Sequence, residues 1–357
     1  PLRRQRQMCI RDRYDIIHAV ENGDLDEAVL DQRLDELLNV IFSTHQATED
    51  AKGKTFDVEE HHNLARKAAE ESIVLLKNED QILPLKPGTK VAVIGDFAKT
   101  PRYQGAGSSL VNPAKQPEAI LDVIGSTDLD VVAYEQGYIR NRKPNQKLTK
   151  AAVELAKKAD IVLFFGGLDE ISESEGLDRT HMSMPAAQET LLNELTTVNK
   201  NIIVVLSAGS AIEMPWYPYV KGIVHGYLGG QAGASAMLNV LTGKVNPSGK
   251  LTMTWPIAAT DHPSTANFAK EYDMYTYKNM EGWGKGNIPS VDFSNHEEDI
   301  YVGYRYFDTF KKNVAYPFGF GLSYTTFEMG KPSVKANGKN IEAVSYTHLR
   351  AHETSAH

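Results

Sequence analysis

From about residue 60 onward, short continuous apolar runs alternate with stretches in which apolar residues return every three or four positions. The runs at 90–98, 129–137, 160–167, 200–209 and 220–230 are rich in Val, Ile, Leu and Phe and carry glycine or alanine at their ends. They lack the apolar–polar alternation of a strand with one wet face, so they predict strands buried on both sides in a mostly parallel sheet. The periodic stretches at 61–79, 117–126, 149–159, 186–199 and 231–243 predict helices that cover both faces of that sheet, an α/β sandwich.

Ahead of this region, Ile16, Ile17 and Val20 make one apolar stripe and Leu34, Leu37, Leu38 and Ile41 another, separated by the turn Asn22-Gly23-Asp24. Two helices are expected there, too few to form a core, so they are expected to belong to a larger upstream domain. The polar stretch after them predicts a linker. Near the other end, Tyr301, Gly303 and Arg305 alternate with Val302, Tyr304 and Tyr306, which predicts a half-buried strand. Residues 262–295 have scattered aromatics and no period, and are expected as a long excursion before that strand.

Both termini differ from their neighbours. PLRRQRQMCIRDR holds five arginines and the sole cysteine, Cys9, and VSYTHLRAHETSAH interrupts ordinary β sequence. Both resemble translated sequencing-adapter peptides, which places 1–13 and 344–357 outside the native fold; the alternative is a basic arm and a His-containing tail. Without Cys9 there is no thiol left for disulfides, CxxC redox chemistry or thiolate metal sites.

The 357-residue length, with 41% hydrophobic and 24% charged residues, suffices for a sizeable core. A net charge of −8 argues against nucleic acid as the main partner. No apolar run approaches the roughly 20 residues of a membrane helix, so no membrane insertion is expected.

In parallel sheets, ligands gather at the carboxyl ends of the strands. The run at 160–167 is followed there by LDEISESEGLDRTHMSMP, a loop far longer than the usual connection of about two to six residues. It carries Glu173 and Glu175 two apart and Asp178 next to Arg179, which spacing alone reads either as a solvated loop with an ion pair or as a catalytic carboxylate pair. At the same edge YQGAGSS brings Ser108 and Ser109, with glycines that let backbone N–H groups approach a ligand, and LSAGSAIEMPW brings Ser210, Glu213 and Trp216. Neither GxGxxG nor GxxxxGK[ST] occurs, so no dinucleotide or nucleoside triphosphate cofactor is expected. His181, His61 and His62 lack further ligands at metal spacing, so no metal is expected either.

ARKAAEESIVLLKNEDQILPL, VAVIGDFA, GAGSS, ESEGLDR, VNPSGKLTMTWP and YPFGFGLSYTTF resemble, in order, the second half of a glycoside hydrolase family 3 enzyme, over about residues 14–327. The resemblance implies an organisation. Residues 14–46 would close a truncated (β/α)₈ barrel, 47–60 link, 61–324 form the α/β sandwich, and 325–343 begin a fibronectin III-like β domain. In that family the barrel carries an aspartate nucleophile and the sandwich lends a glutamate as acid/base. By the family's EGxDR pattern Glu175 would be that residue, with Gly176, Asp178 and Arg179 matching the rest, and Glu173 the runner-up. Asp178 and Arg179 would pin the loop, and Ser108 and Ser109 would bind substrate or position the loop.

The implied function is that of a retaining β-glycosidase acting on terminal β-D-glucosyl or β-D-xylosyl residues of oligosaccharides or β-glycosides, without cofactor. The fragment alone would be inactive, since it carries no barrel nucleophile. A non-catalytic carbohydrate-binding or structural module is the alternative. The family's habit points to the periplasm or secretion, and oligomeric state is left open.

Overall fold

The computed structural model describes residues 13–140, 143–175, 179, 181–266, 297–338 and 340–350. The chain divides into two units, 1–57 and 58–357.

In the first unit the expected pair of helices forms: α1 (residues 13–21) and α2 (Glu27–Asp50). Gly23 takes the left-handed turn between them at φ +77°, and the Asp26 side chain caps α2 by accepting from the Ala28 N–H. No residue of α2 is buried. The helix runs to Asp50, past the expected linker boundary at 46, and the hydroxyls of Ser43, Thr44 and Thr48 donate to carbonyls one turn earlier, which lets these polar residues stay within it.

The second unit opens with α3 (Val58–Ser72) and β1 (Val74–Asn78). The single helix expected over 61–79 is therefore divided. Ile73, Val74, Leu75 and Leu76 are all at most 2% exposed, and four consecutive apolar residues find full burial in a strand between two apolar layers, where a helix would turn one of them outward. There follow β2 (Lys90–Ile94), α4 (Asp96–Lys99), α5 (Ile120–Val123), β3 (Asp130–Glu135), α6 (Gln146–Ala156), β4 (Ile161–Gly167), α7 (Ala186–Val198), β5 (Ile202–Ser207), β6 (Gly222–His225) and α8 (Gly233–Leu241). The helix expected over 117–126 shrinks to α5 and a 3₁₀ turn at Ile124–Ser126.

The strands form one sheet in the order β1-β6-β5-β4-β2-β3, parallel throughout except for edge strand β1, which runs antiparallel to β6. Alternate residues enter two cores. Ala92, Ile94, Val162, Phe164, Val204 and Leu206 face α6 and α7, and Val91, Val93, Leu163, Phe165, Ile203 and Val205 face α5 and α8. Each buried Val, Leu, Ile or Phe among them contributes about 1.5–3 kcal/mol.

The chain then returns across the sheet. Gly319 N–H donates to the Leu251 carbonyl, Tyr316 bridges Trp255, and Leu322 N–H donates to the Leu75 carbonyl of β1 at 2.8 Å. Before that return, the segment expected as a strand at 301–306 turns at Gly303 (φ +57°) into helix α9 (Tyr304–Thr309). Only Phe307 of α9 is buried, and Tyr306 stacks on Phe310 one turn later, so helical spacing suits these aromatics better than alternation. Most of the expected excursion at 262–295, from 267 onward, lies outside the described residues.

After the return, β7 (Thr326–Met329) pairs antiparallel with β10 (Thr347–Arg350), and β8 (Ser333–Asn337) with β9 (Asn340–Val344). Strand β10 falls within the 344–357 segment that the sequence sets apart.

Candidate active site

Parallel strands deliver their carboxyl-terminal loops to one edge, and the loops after β2, β4 and β5 interlock there through one carboxylate. Glu173 accepts from Arg102 Nη1 at 2.7 Å, from the Gly209 N–H at 2.8 Å and from the Ser210 hydroxyl at 2.6 Å. Arg102 is almost wholly buried, and it also donates to the backbone carbonyls of Leu168 and Glu173. Burial by itself would push the Glu173 carboxyl up. The hydrogen bonds from Ser210, Gly209 and Arg102, with the arginine's charge, outweigh it and hold the group below the usual carboxylate range.

The loop itself is shaped from its start. At Gly167 (φ +139°) β4 ends, and the Gln188 amide of α7 bonds both the Gly167 N–H and carbonyl. Asp169 Oδ1 then accepts from the N–H groups of Ile171 and Ser172, an Asx turn that brings Glu173 round to Arg102.

Glu175 stands differently. Its backbone N–H donates to the Ala106 carbonyl at 3.3 Å, and its carboxylate accepts from the Ser108 N–H at 2.5 Å. Gly107 (φ +91°) permits this approach, since a Cβ there would lie 2.7 Å from Glu175 Cβ. Hydrogen bonding from the Ser108 side chain and backbone holds the exposed carboxyl below its ordinary range. The Ser109 hydroxyl makes a long 3.4 Å contact with the Ala106 carbonyl.

Arg179 anchors the far side of the loop. Its Nη1 donates to the Ser210 hydroxyl at 2.9 Å and to the Ala211 carbonyl at 2.8 Å. Gly176 and Asp178 lie outside the described residues. Glu213 accepts from the Ala259 N–H, and Trp216 is buried in the core, so neither joins the carboxylate network. A groove of about 450 Å³ opens beside it, lined by Arg179, Ser210, Thr254, His262, Tyr304 and Phe318 among others.

Sequence reasoning missed Arg102, whose only signal is a charged residue just before the glycine-rich 103–109 stretch, and His225 at the end of β6. The His225 ring is fully buried between Tyr227 and Trp255, at centroid distances of 4.1 and 5.1 Å. His62 is buried as well, 2.9 Å from Glu118. Among the described residues no group of three or more His, Cys, Asp or Glu is placed to hold a metal ion, and no helix is long and apolar enough to cross a membrane.

A mostly parallel six-stranded sheet covered by helices on both faces fits the glycosyl hydrolase family 3 C-terminal domain, and residues 73–324 match that domain. The chain belongs to glycoside hydrolase family 3. It is 42% identical over 323 residues to thermostable β-glucosidase B of Acetivibrio thermocellus, a match covering 89% of this chain and 40% of that protein. It is 41% identical over 343 residues to an exo-α-(1→6)-L-arabinopyranosidase of Bifidobacterium breve, covering 93% and 42%. The crystal structure of the Bifidobacterium adolescentis family 3 β-glucosidase superimposes with a TM-score of 0.82 at 39% identity, over 94% of this chain and 47% of that one. Family 3 membership accounts for the mostly parallel sheet and its covering helices. The chain spans about two fifths of the length of these curated relatives.

Proposed function

We propose that this chain supplies the acid/base half of a retaining β-glycosidase, with Glu175 as the acid/base and the aspartate nucleophile on a barrel outside the chain. The observation that carries the assignment is the contrast between the two glutamates. Glu173 has both carboxylate oxygens engaged by Arg102, Gly209 and Ser210, which leaves it no room to move. Glu175 is exposed, has its carboxylate bonded to Ser108, and sits between two anchored parts of its loop.

Retaining hydrolysis needs two carboxyl groups about 5–5.5 Å apart, one attacking the anomeric carbon while the other protonates the leaving oxygen and then activates water. The Ser108 N–H favours the ionised form of Glu175, the form that deprotonates water in the second step. For the first step the proton is retained when substrate and barrel desolvate the carboxyl and the nucleophile's negative charge comes near. The substrates are β-glycosides or oligosaccharides with terminal β-D-glucosyl residues, and β-D-xylosyl second. Relatives of nearly equal identity are named for glucoside and for arabinopyranoside hydrolysis, which supports a sugar choice made largely by residues outside this chain.

The test uses the complete enzyme, this chain together with its barrel. Glu175→Ala should depress kcat/KM for alkyl glucosides far more than for dinitrophenyl glucoside, and azide should restore turnover while yielding a β-glucosyl azide. Equal loss on both substrates with no azide product rejects Glu175 as the acid/base. The chain alone should not turn over nitrophenyl glucoside.

A further inference from the structure

We propose that Arg102 and Glu173 are positioning residues that set where Glu175 stands, so that the more deeply bonded glutamate serves the reaction only through its neighbour two residues on. This rests on the reading of Glu175 as acid/base.

The loop between Gly167 and Ala186 is long enough to adopt many paths, yet it is tied down at a few points. Arg102, rising from the loop after β2, grips it by three oxygens: the Leu168 carbonyl, the Glu173 carbonyl and Glu173 Oε2. Glu173 Oε2 also accepts from the Gly209 N–H, and Oε1 accepts from the Ser210 hydroxyl, which ties the same residue to the loop after β5. Ser210 Oγ then links both sides of the loop, donating to Glu173 Oε1 and accepting from Arg179 Nη1. Residues 173 and 179 are thereby held to one point at the sheet edge, and Glu175 lies on the short span between them.

Two residues of chain reach at most about 7 Å, so fixing Glu173 confines Glu175 to a small volume. Its remaining freedom is removed from the other side, by the Ala106 carbonyl and the Ser108 N–H. Such confinement matters for proton transfer, because a misplacement of about 1 Å can cost about 100-fold in rate. A clamp that only stabilised the domain would have no reason to converge on the acid/base span.

The complete enzyme decides the matter, with Glu173→Gln as a variant of matching shape, Arg102→Met, Arg102→Lys and Glu175→Ala. Each is assayed on dinitrophenyl glucoside, whose leaving group needs no proton, and on an alkyl glucoside, whose leaving group does. Glu173→Gln and Arg102→Met should lose about 100-fold in kcat/KM on the alkyl glucoside and stay within about threefold of the parent on dinitrophenyl glucoside. Azide should give no glucosyl azide with either. Arg102→Lys, or guanidinium ion added to Arg102→Met, should recover part of the lost activity.

Equal losses on both substrates, or parent activity on both, overturn the proposal while leaving Glu175 in its role, provided Glu175→Ala still yields glucosyl azide. Glucosyl azide from the Glu173 variant, with none from Glu175→Ala, overturns both.

Discussion

Arg102 Nη1 and Glu173 Oε2 meet at 2.7 Å across 71 residues of sequence, and the arginine side chain is only 1% exposed. An ion pair so placed is costly to break from one side, because the remaining charge stays buried without its partner.

Glu173→Ala in this chain should therefore cost about 3 kcal/mol and lower the melting temperature by roughly 5–10 °C at neutral pH. Glu175→Ala should leave the melting temperature unchanged. The Glu173 pKa is depressed by folding, so its stabilisation is present above the ordinary carboxylate pKa and is lost as pH falls toward the folded value. The gap between parent and Glu173→Ala should accordingly narrow in acid. Thermal unfolding from pH 7 to pH 3 measures both effects, and a gap that widens in acid contradicts the assignment.

Acid should also destabilise the domain through His225. Burial pushes its pKa from 6.5 down to about 3, with the nearby Glu173 charge opposing the shift. Between those values the unfolded chain binds a proton that the native ring does not, so stability falls with pH at a rate approaching about 1.4 kcal/mol per unit. His225→Phe, which suits the space between Tyr227 and Trp255, should flatten the fall. Urea unfolding at pH 7, 5.5 and 4 reads it, and parallel slopes for the two proteins would count against the neutral buried ring.

Gly107→Ala should act on Glu175 and on little else. The added methyl would lie 2.7 Å from Glu175 Cβ at a backbone φ of +91°. The expected stability loss is about 1–2 kcal/mol, with a loss of about tenfold or more in kcat/KM on alkyl glucosides in the complete enzyme. Unchanged kinetics would mean that the loop after β2 does not hold Glu175.

Two further glycines separate contact from conformation. A Cβ on Gly167 would sit 2.1 Å from the Ser207 carbonyl oxygen, where β4 and β5 lie side by side, whereas one on Gly88 (φ +75°) meets nothing within 4 Å. Gly88→Ala should cost about 1–2 kcal/mol, and Gly167→Ala at least twice that or a failure to fold. Similar melting temperatures for the two would show that the strand pair can yield.

The parallel sheet was legible because β2, β4 and β5 are unbroken apolar runs between polar or glycine turns, and only strands buried on two faces carry that pattern. β1 was hidden because no turn residue separates it from α3, so Ile73–Leu76 read as a continuation of the helical period. The aromatics at 301–306 misled through alternation, since three rings in six positions suit either period and tertiary contacts decide between them. At the site, the crowding of carboxylates in 168–185 was visible, but the partner of each was not. Arg102 is far away in sequence, Ser210 follows another strand, and Ser108 contributes a backbone N–H that no side-chain pattern reveals.

The return of the chain from 316 to 322 across β1 sets a timetable for the domain. Edge strand β1 emerges from the ribosome ahead of the segment that covers it, and its backbone bond to Leu322 waits for residues made roughly 250 positions later, about 10–50 s at usual elongation rates. Through that interval the apolar Ile73–Leu76 run has an open strand edge, which makes nascent chains ending before about residue 320 candidates for chaperone binding and for edge-to-edge association.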